Sequence, residues 1–485
     1  MSLKRHTVYN LGGALAPLAM MLVTVPLYIG LLGEARYGVL AIVWVLTGYF
    51  GFFDLGLGRA TAFAIARSDR EDPSRAPRVL WTALAVNTGF GIVGGAILAL
   101  LAPLLFGRLL AVPPALLEEL LAALPWLALA IPLLTVESVL TGALTGRERF
   151  LALNIRAAIG AAITQALPLL LVFAIAPTLT VAVIATVMAR FASVALFAGI
   201  ALRTMGSGLR PQFGGTAMVR ELIGYGGWVS IGSAIGPLVA NLDRLLIGAL
   251  AGPVAVALYT VPYQLVTRGA MVSRAIAGAL FPRMAQTDTP SRRELAIRAM
   301  RFNAGLMTVP CVIGVFLMEP FLSVWIGPDF ALAAALIGQL LVVTLLLNAL
   351  SLVAANLIEA DARPREAAFI QLSQIVPFFV LLYLGIGWAG IAGAAAARCC
   401  RSVLDLSLLA WRADLLAEAG RIVAVPLLLV LCSIGSAYSL GSASAAGLIA
   451  AACAISATSV WSLRISVDLK RFVAVDIIGR LGIRA

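Results

Sequence analysis

Residues 241–283 read NLDRLLIGALAGPVAVALYTVPYQLVTRGAMVSRAIAGALFPR, long apolar runs broken by Asp243, Arg244, Arg268, Arg274 and Arg283. A helix with so many apolar residues has little polar surface to show to water, whereas a membrane span uses about 20 apolar residues in succession. The stretch covers parts of two such spans, near 222–251 and 255–284. The arginines inside it are what need explaining.

Outward from this stretch the pattern is the same. Of 485 residues, 61% are hydrophobic and 12% charged, against roughly 45–50% and 25% in soluble domains. Windows of about 19 residues pick out spans near 8–32, 38–66, 79–106, 120–145, 151–174 and 179–203. A second set lies near 222–251, 255–284, 296–325, 331–359, 365–387 and 388–411, and two more near 421–440 and 443–464. The first begins after Lys4 and Arg5. Ala14-Leu15-Ala16 imitates a signal cleavage site, but the apolar run continues to Leu32, so an uncleaved span is expected. The expected fold is an all-α polytopic membrane protein of about 14 helices: two pseudo-repeated six-helix lobes plus two C-terminal helices.

Charge placement sets the orientation. Alternate loops collect about 26 of the 35 basic residues, including Arg67, Arg75, Arg147, Arg203, Arg292, Arg363, Arg412 and Arg464; the opposite loops hold about two, Arg36 and Arg108. Arg156 belongs to the basic set. The positive-inside rule then places both termini in the cytoplasm. Most of the net charge of +12 is accounted for by topology, without nucleic acid.

The chain echoes itself. Residues 27–43 and 245–261 share Leu27/Leu245, Ile29/Ile247, Gly30/Gly248, Leu32/Leu250, Leu40/Leu258 and Val43/Val261. Ala189-Arg190 with Ser193 and Arg203 matches Ala397-Arg398 with Ser402 and Arg412. These echoes divide the chain into an N-terminal lobe, 1–205, a cytoplasmic linker, 206–220, and a C-terminal lobe, 221–412. Two further spans and a cytoplasmic tail fill 413–485. Parallel repeats of this kind mark transporters with a site between the halves near the midplane.

A charge at the bilayer centre costs about 2.5–3.5 kcal/mol on insertion scales, so each one normally faces a cavity or a partner. Arg59, Arg190, Arg244, Arg268, Arg274, Arg398 and Arg401 lie within the spans, with Asp54, Glu137, Asp243, Glu319 and Asp405 as embedded acids. At helical spacing, Thr260, Tyr263, Gln264, Thr267, Arg268 and Arg274 share one sector of the eighth span. Ser230, Ser233, Pro237, Asn241, Arg244 and Gly248 form a stripe on the seventh. Arg398, Arg401 and Asp405 share a face of the twelfth, with Arg401 and Asp405 spaced for an ion pair. Gly48, Gly51, Asp54 and Gly58 suggest a small-residue face on the second.

Bland readings stand beside these. About 33 Arg to 2 Lys is a ratio that base composition alone can impose, and embedded acids serve structural ion pairs as readily as ion coupling. Cys311, Cys399, Cys400, Cys432 and Cys453 lack metal-ligand spacing and read as packing residues. The single His6 reads as interfacial. Gly91–Gly95 and Gly232–Gly236 read as helix-packing pairs. No phosphate loop, HExxH or GxSxG is present, so neither direct ATP coupling nor an enzyme is expected, and no metal or cofactor.

Residues 241–283 resemble the second-half hallmark of the polysaccharide (O-antigen/exopolysaccharide, Wzx-type) flippases, within the multidrug/oligosaccharidyl-lipid/polysaccharide exporter superfamily. Pro26-Leu27-Tyr28, Leu32-Gly33, Tyr37-Gly38, Asp54-Leu55-Gly56-Leu57 and Trp325-Ile326-Gly327 support the resemblance. It implies movement of an undecaprenyl-pyrophosphate-linked oligosaccharide from the cytoplasmic to the periplasmic leaflet by alternating access. Arginine forks suit phosphate oxygens, so Arg190, Arg268, Arg274, Arg398 and Arg401 are the expected diphosphate ligands in a cationic cavity. Ser230, Asn241, Thr260, Tyr263, Gln264 and Thr267 are expected to meet sugars. Asp54, Glu137, Asp243 and Arg244 are expected to be ion-coupling groups or structural pairs, with a proton, sodium or the membrane potential as energy source. Expected partners are membrane lipids, the lipid-linked glycan and other polysaccharide assembly proteins. The alternatives are a cation-coupled multidrug exporter of the same superfamily, whose cationic substrates suit a less basic interior, and a membrane glycosyltransferase or polymerase, for which the external loops are short.

Overall fold

The computed structural model describes residues 3–72, 74–110, 112–205, 211–442, 444–466 and 469; backbone alone is described for 3–17, 50–52, 69–71, 150, 204–205, 225–240, 279, 282–283, 285 and 289. Among the described residues there is no strand. The helices are α1 (Leu3–Phe50), α2 (Leu57–Glu71), α3 (Arg75–Leu104), α4 (Pro114–Ala122), α5 (Leu124–Gly146), α6 (Phe150–Ala174) and α7 (Leu179–Met205). They continue with α8 (Gly215–Gln286), α9 (Thr289–Trp325), α10 (Pro328–Ala360), α11 (Pro364–Ser373), α12 (Ile375–Arg412), α13 (Leu416–Leu440) and α14 (Ala445–Ile465).

Three of these elements are hairpins. In a straight helix residues 28 and 44 lie about 24 Å apart, yet the rings of Tyr28 and Trp44 are 6.0 Å apart, centroid to centroid. The chain reverses at Gly33, whose φ of 77° and ψ of 163° leave the helical region. Gly252 repeats that geometry in α8, with φ 79° and ψ 178°, and brings Gly248 beside Val256. In α12 the reversal falls at Ala389–Gly390, where a Cβ on Gly393 would collide with the backbone of Gly385. Eleven stretches among the described residues are long and apolar enough to cross a membrane; three contain these reversals, so the described residues make fourteen passes. The turns at Gly33 and Gly252 fall one residue out of register with the echo between residues 27–43 and 245–261, which sets Gly33 opposite Ala251.

The second pass departs from expectation. Its helix stops at Phe50, passes through a 3-10 turn at Gly51–Asp54 and restarts at Leu57. Leu55 (φ 44°) and Gly56 (φ 68°) are left-handed, a conformation that ends a helix. The stripe Gly48–Gly51–Asp54–Gly58 is therefore no continuous face, because helical spacing is lost across the break. Asn87 Nδ2 donates to Asp54 Oδ1 at 2.7 Å and to the Thr135 carbonyl at 2.8 Å. The Gly58 amide and the Ser138 hydroxyl also bond the Asp54 carboxylate, which holds the break against α3 and α5. The fourth and eleventh passes are likewise interrupted, with α4 separated from α5 and α11 from α12.

Small residues let these helices approach closely. Gly91 faces Pro132 and Thr135, Gly95 faces the Ala128 backbone, and Gly142 packs on the Gly58 carbonyl, as the packing reading of Gly91–Gly95 anticipates. Gly232–Gly236 falls outside the described side chains. Cys311 is buried, whereas Cys400, Cys432 and Cys453 are exposed, so the packing reading fits only part of the set. Outward-facing side chains are apolar, with Val324 and Trp388 each 91% exposed, as lipid contact requires.

The chain divides into two compact units, Met1–Ala257 and Leu258–Ala485. The division falls just after the Gly252 turn; the linker at 206–220 marks the sequence repeat, and its residues 206–210 lie outside the described set. In the first unit, Arg36 donates to both oxygens of Glu119 (3.2 and 3.0 Å from Nε), and Glu119 also accepts the Leu179 amide at 2.6 Å. The turns after passes one, three and five therefore share one end. In the second unit Arg292 pairs with Asp361 (2.5 Å), Arg293 with Glu418 (2.9 Å) and Arg412 with Glu366 (2.6 Å). These join the turns after passes eight, ten and twelve, as alternating topology demands.

Candidate functional site: arginine clusters inside the helices

In the first unit Arg190 on α7 and Arg156 on α6 converge on Glu137 of α5. Arg190 Nη1 donates to Glu137 Oε2 at 3.2 Å, and Arg156 pairs with the other oxygen. The Arg156 guanidinium also sits 4.9 Å from the Phe197 ring centre. Two guanidinium groups against one carboxylate leave the cluster with one positive charge. Sequence reasoning counted Arg156 among the orienting charges. Its place six residues into the apolar run that starts at Leu151 is the signal that marks it as embedded.

Arg190 also forms one wall of a cleft of about 260 Å³ within the same unit. Trp44, Thr47, Thr164, Gln165 and Thr186 line it together with apolar residues of α1, α5 and α7. None of these five was singled out from the sequence, since isolated Thr and Gln in apolar helices carry no periodic signal.

A second polar knot lies near the Gly252 turn. Asp243 is fully buried and accepts the Arg244 amide at 2.9 Å, while the Arg244 guanidinium donates to Asn241 Oδ1 at 2.7 Å. Nearby, the Tyr37 ring packs edge-on against Trp44 and stands 6.4 Å from Tyr28. Arg59 is exposed on α2. Ser230 lies outside the described side chains, as do Ser233 and Pro237.

The second unit holds the other arginines. Arg398 is 7% exposed and donates from Nη2 to the Tyr263 hydroxyl at 2.9 Å, its guanidinium 4.6 Å from the centre of that ring. Tyr259 stacks on Tyr263 at 5.9 Å, which orients the ring. Arg401 lies 5.1 Å from the Phe378 ring centre. Asp405, one turn from Arg401, accepts from Gln374 Nε2 at 2.9 Å, and Glu319 accepts from Ser442 at 3.0 Å. Arg268 is half-buried and Arg274 exposed, with Nε of Arg274 turned to the Ala270 carbonyl. Gln264 is half-buried, Thr267 donates to the Tyr263 carbonyl, and Thr260 is buried. An aromatic face beneath each of the Arg398 and Arg401 guanidinium groups orients its plane.

Known proteins are similar over most of the length. The chain is 26% identical over 413 residues to a protein of Shigella flexneri described as "Putative O-antigen transporter", covering 85% of this chain and 97% of that one. A lipid II flippase MurJ in an inward closed conformation superimposes with a TM-score of 0.70 at 12% identity, covering 94% of this chain and 98% of its own. An inward-facing multidrug resistance MATE family transporter of the MOP superfamily gives 0.65 at 15% identity, covering 85% and 98%. At these identities the two structures show the shared fold. The expectation of a transporter and not an enzyme agrees with how these relatives are named. Residues 3–288 match the family described as "Polysaccharide biosynthesis protein", and over this span, more than half its length, the chain belongs to that family.

Proposed function

We propose that this multi-span membrane transporter is a flippase for a polyprenyl-diphosphate-linked oligosaccharide, an O-antigen or exopolysaccharide repeat unit. It carries the glycan from the cytoplasmic to the periplasmic leaflet of a bacterial inner membrane by alternating access, with both termini cytoplasmic. The observation that carries the reading is the surplus of embedded guanidinium in the first unit, where Arg156 and Arg190 share the single carboxylate of Glu137. A diphosphate entering a hydrocarbon core about 30 Å thick must exchange its water for donors of this kind. In the first unit Arg190 supplies them, with Arg156; in the second, Arg268, Arg274, Arg398 and Arg401 do. Tyr263, Gln264, Thr267 and Asn241 offer hydroxyl and amide groups to sugars. Membrane lipid and other polysaccharide assembly proteins are the partners this implies. No cofactor is required, and the drive is a proton, sodium or the membrane potential.

Purified protein in liposomes loaded with fluorescent lipid-linked glycan tests the reading. Glycan should become accessible on the far leaflet, and imposing a potential, a proton gradient or a sodium gradient separately should identify the driving force. Loss of this movement in Arg268→Ala and Arg274→Ala is expected; full activity in both, correctly inserted, would sink the second unit's part in diphosphate binding.

A further inference from the structure

We infer that the cleft in the first unit is a binding subsite for the single pyranose ring attached directly to the diphosphate; this rests on the flippase reading and goes on to name the place of that sugar. Its polar wall comes from Trp44, Thr47, Thr164, Gln165, Thr186 and Arg190. A volume of about 260 Å³ lies just below the range of about 300–1,000 Å³ typical of small-molecule sites. It is large enough for one pyranose ring.

The chemistry of the wall matches a sugar. Thr47, Thr164 and Thr186 spend their hydroxyl protons on the carbonyls of Val43, Gly160 and Ala182 in their own helices. Each oxygen therefore faces the cleft as an acceptor. Gln165 is fixed from two sides: its Oε1 takes the Thr24 hydroxyl at 3.4 Å and its backbone carbonyl takes the Tyr28 hydroxyl at 3.0 Å. Among the described residues its Nε2 has no hydrogen-bond partner, which leaves a positioned donor. Trp44 is held edge-on by Tyr28 (6.0 Å, 78°) and Tyr37 (6.2 Å, 86°), a preorganised aromatic wall for the C–H face of a ring. Acceptors, a donor and an indole in one small concavity suit vicinal hydroxyls better than they suit an acyl chain, which has no use for any of them.

Arg190 links this wall to the charged cluster, because it lines the cleft and also bonds Glu137. A ligand whose phosphate meets Arg190 has its next group at the cleft. The prenyl chain on the other phosphate then extends away from the cleft.

The test uses the full chain in nanodiscs and calorimetric binding of two kinds of probe. One is geranylgeranyl diphosphate; the other is the same lipid carrying one N-acetylhexosamine or one hexose on the diphosphate. Wild-type protein should prefer a glycosylated probe about tenfold, the order left by two or three hydrogen bonds after desolvation. Gln165→Leu and Thr186→Val should each remove most of that preference while leaving the affinity for bare diphosphate unchanged. Trp44→Phe, which keeps an aromatic wall, should reduce it only in part. Preference undiminished in the Gln165 and Thr186 variants, or absent from the wild type, overturns the subsite and leaves the flippase reading standing. Binding of neither kind of probe overturns both.

Discussion

The Arg156–Glu137–Arg190 cluster sets what single side chains can do. Glu137 occupies the two guanidinium groups that an incoming phosphate would use, so ligand and carboxylate compete for the same donors. Glu137→Gln should therefore bind geranylgeranyl diphosphate several-fold more tightly by calorimetry, yet turn over more slowly because release is impaired, and it should melt at lower temperature because two embedded cations lose their counter-charge. Tyr263→Phe keeps the ring beneath Arg398 but removes the oxygen at 2.9 Å. Losing that hydrogen bond costs about 0.5–1.5 kcal/mol, readable as a lower unfolding temperature in detergent. At the turn end of the first unit, the Arg36 hydrogen bond, aided by the Leu179 amide, holds the Glu119 carboxyl below the ordinary glutamate range despite burial. A group with a depressed folded pKa stabilises fully above its unfolded value, about 4.3, and loses that contribution as pH falls through the folded value. The melting-temperature gap between wild type and Glu119→Gln should be constant at neutral pH and close below about pH 4. Arg190 and Arg398 were legible in sequence because a charge stands out in an apolar run. Arg156, Phe197 and Phe378 were not: an arginine near a span end reads as orientation, and a phenylalanine in a membrane helix reads as lipid contact.

Helices were legible in number and less so in continuity. Hydropathy averages over about 19 residues, so it located the passes but smoothed over the break at residues 51–56 and the gap between α4 and α5. Only backbone conformation, the left-handed Leu55 and Gly56, reveals that Asp54 terminates a half-helix. Close packing also depends on positions that hydropathy does not weigh. Gly142 meets the Gly58 carbonyl so tightly that any Cβ must displace backbone. Gly142→Ala should lower stability by about 1–3 kcal/mol, measured by thermal unfolding, while Gly30→Ala, at a site with nothing within 4 Å, should leave the transition in place.

At the scale of the molecule, ion pairs within each unit join turns of like parity, and the proposed orientation puts both termini in the cytoplasm. The sequence supplied that side through its basic loops, an argument about insertion that no intramolecular contact repeats. Single cysteines in a background lacking the five native ones should resolve it. Asp72→Cys and Thr287→Cys should react with an impermeant maleimide only after the membrane is opened, and Asp329→Cys should react in intact cells. The reverse pattern would invert the topology and, with it, the direction of transport. The lobes expected from the sequence and the compact units divide the chain at different places: the seventh pass falls in the second expected lobe but lies within the first unit, where Arg75 pairs with Glu221 at 2.5 Å.

The reversals at Gly33, Gly252 and Gly390 also bear on how the chain enters the bilayer during synthesis. Each joins two apolar helices through a turn of one or two residues, so the pair can be inserted together with almost no polar segment to thread across. The third carries no charged side chain anywhere from Ala367 to Ala397. Lengthening that turn with a short acidic insert would convert a spontaneous hairpin into one that depends on the translocation machinery, which makes the glycine an assembly device as much as a bend.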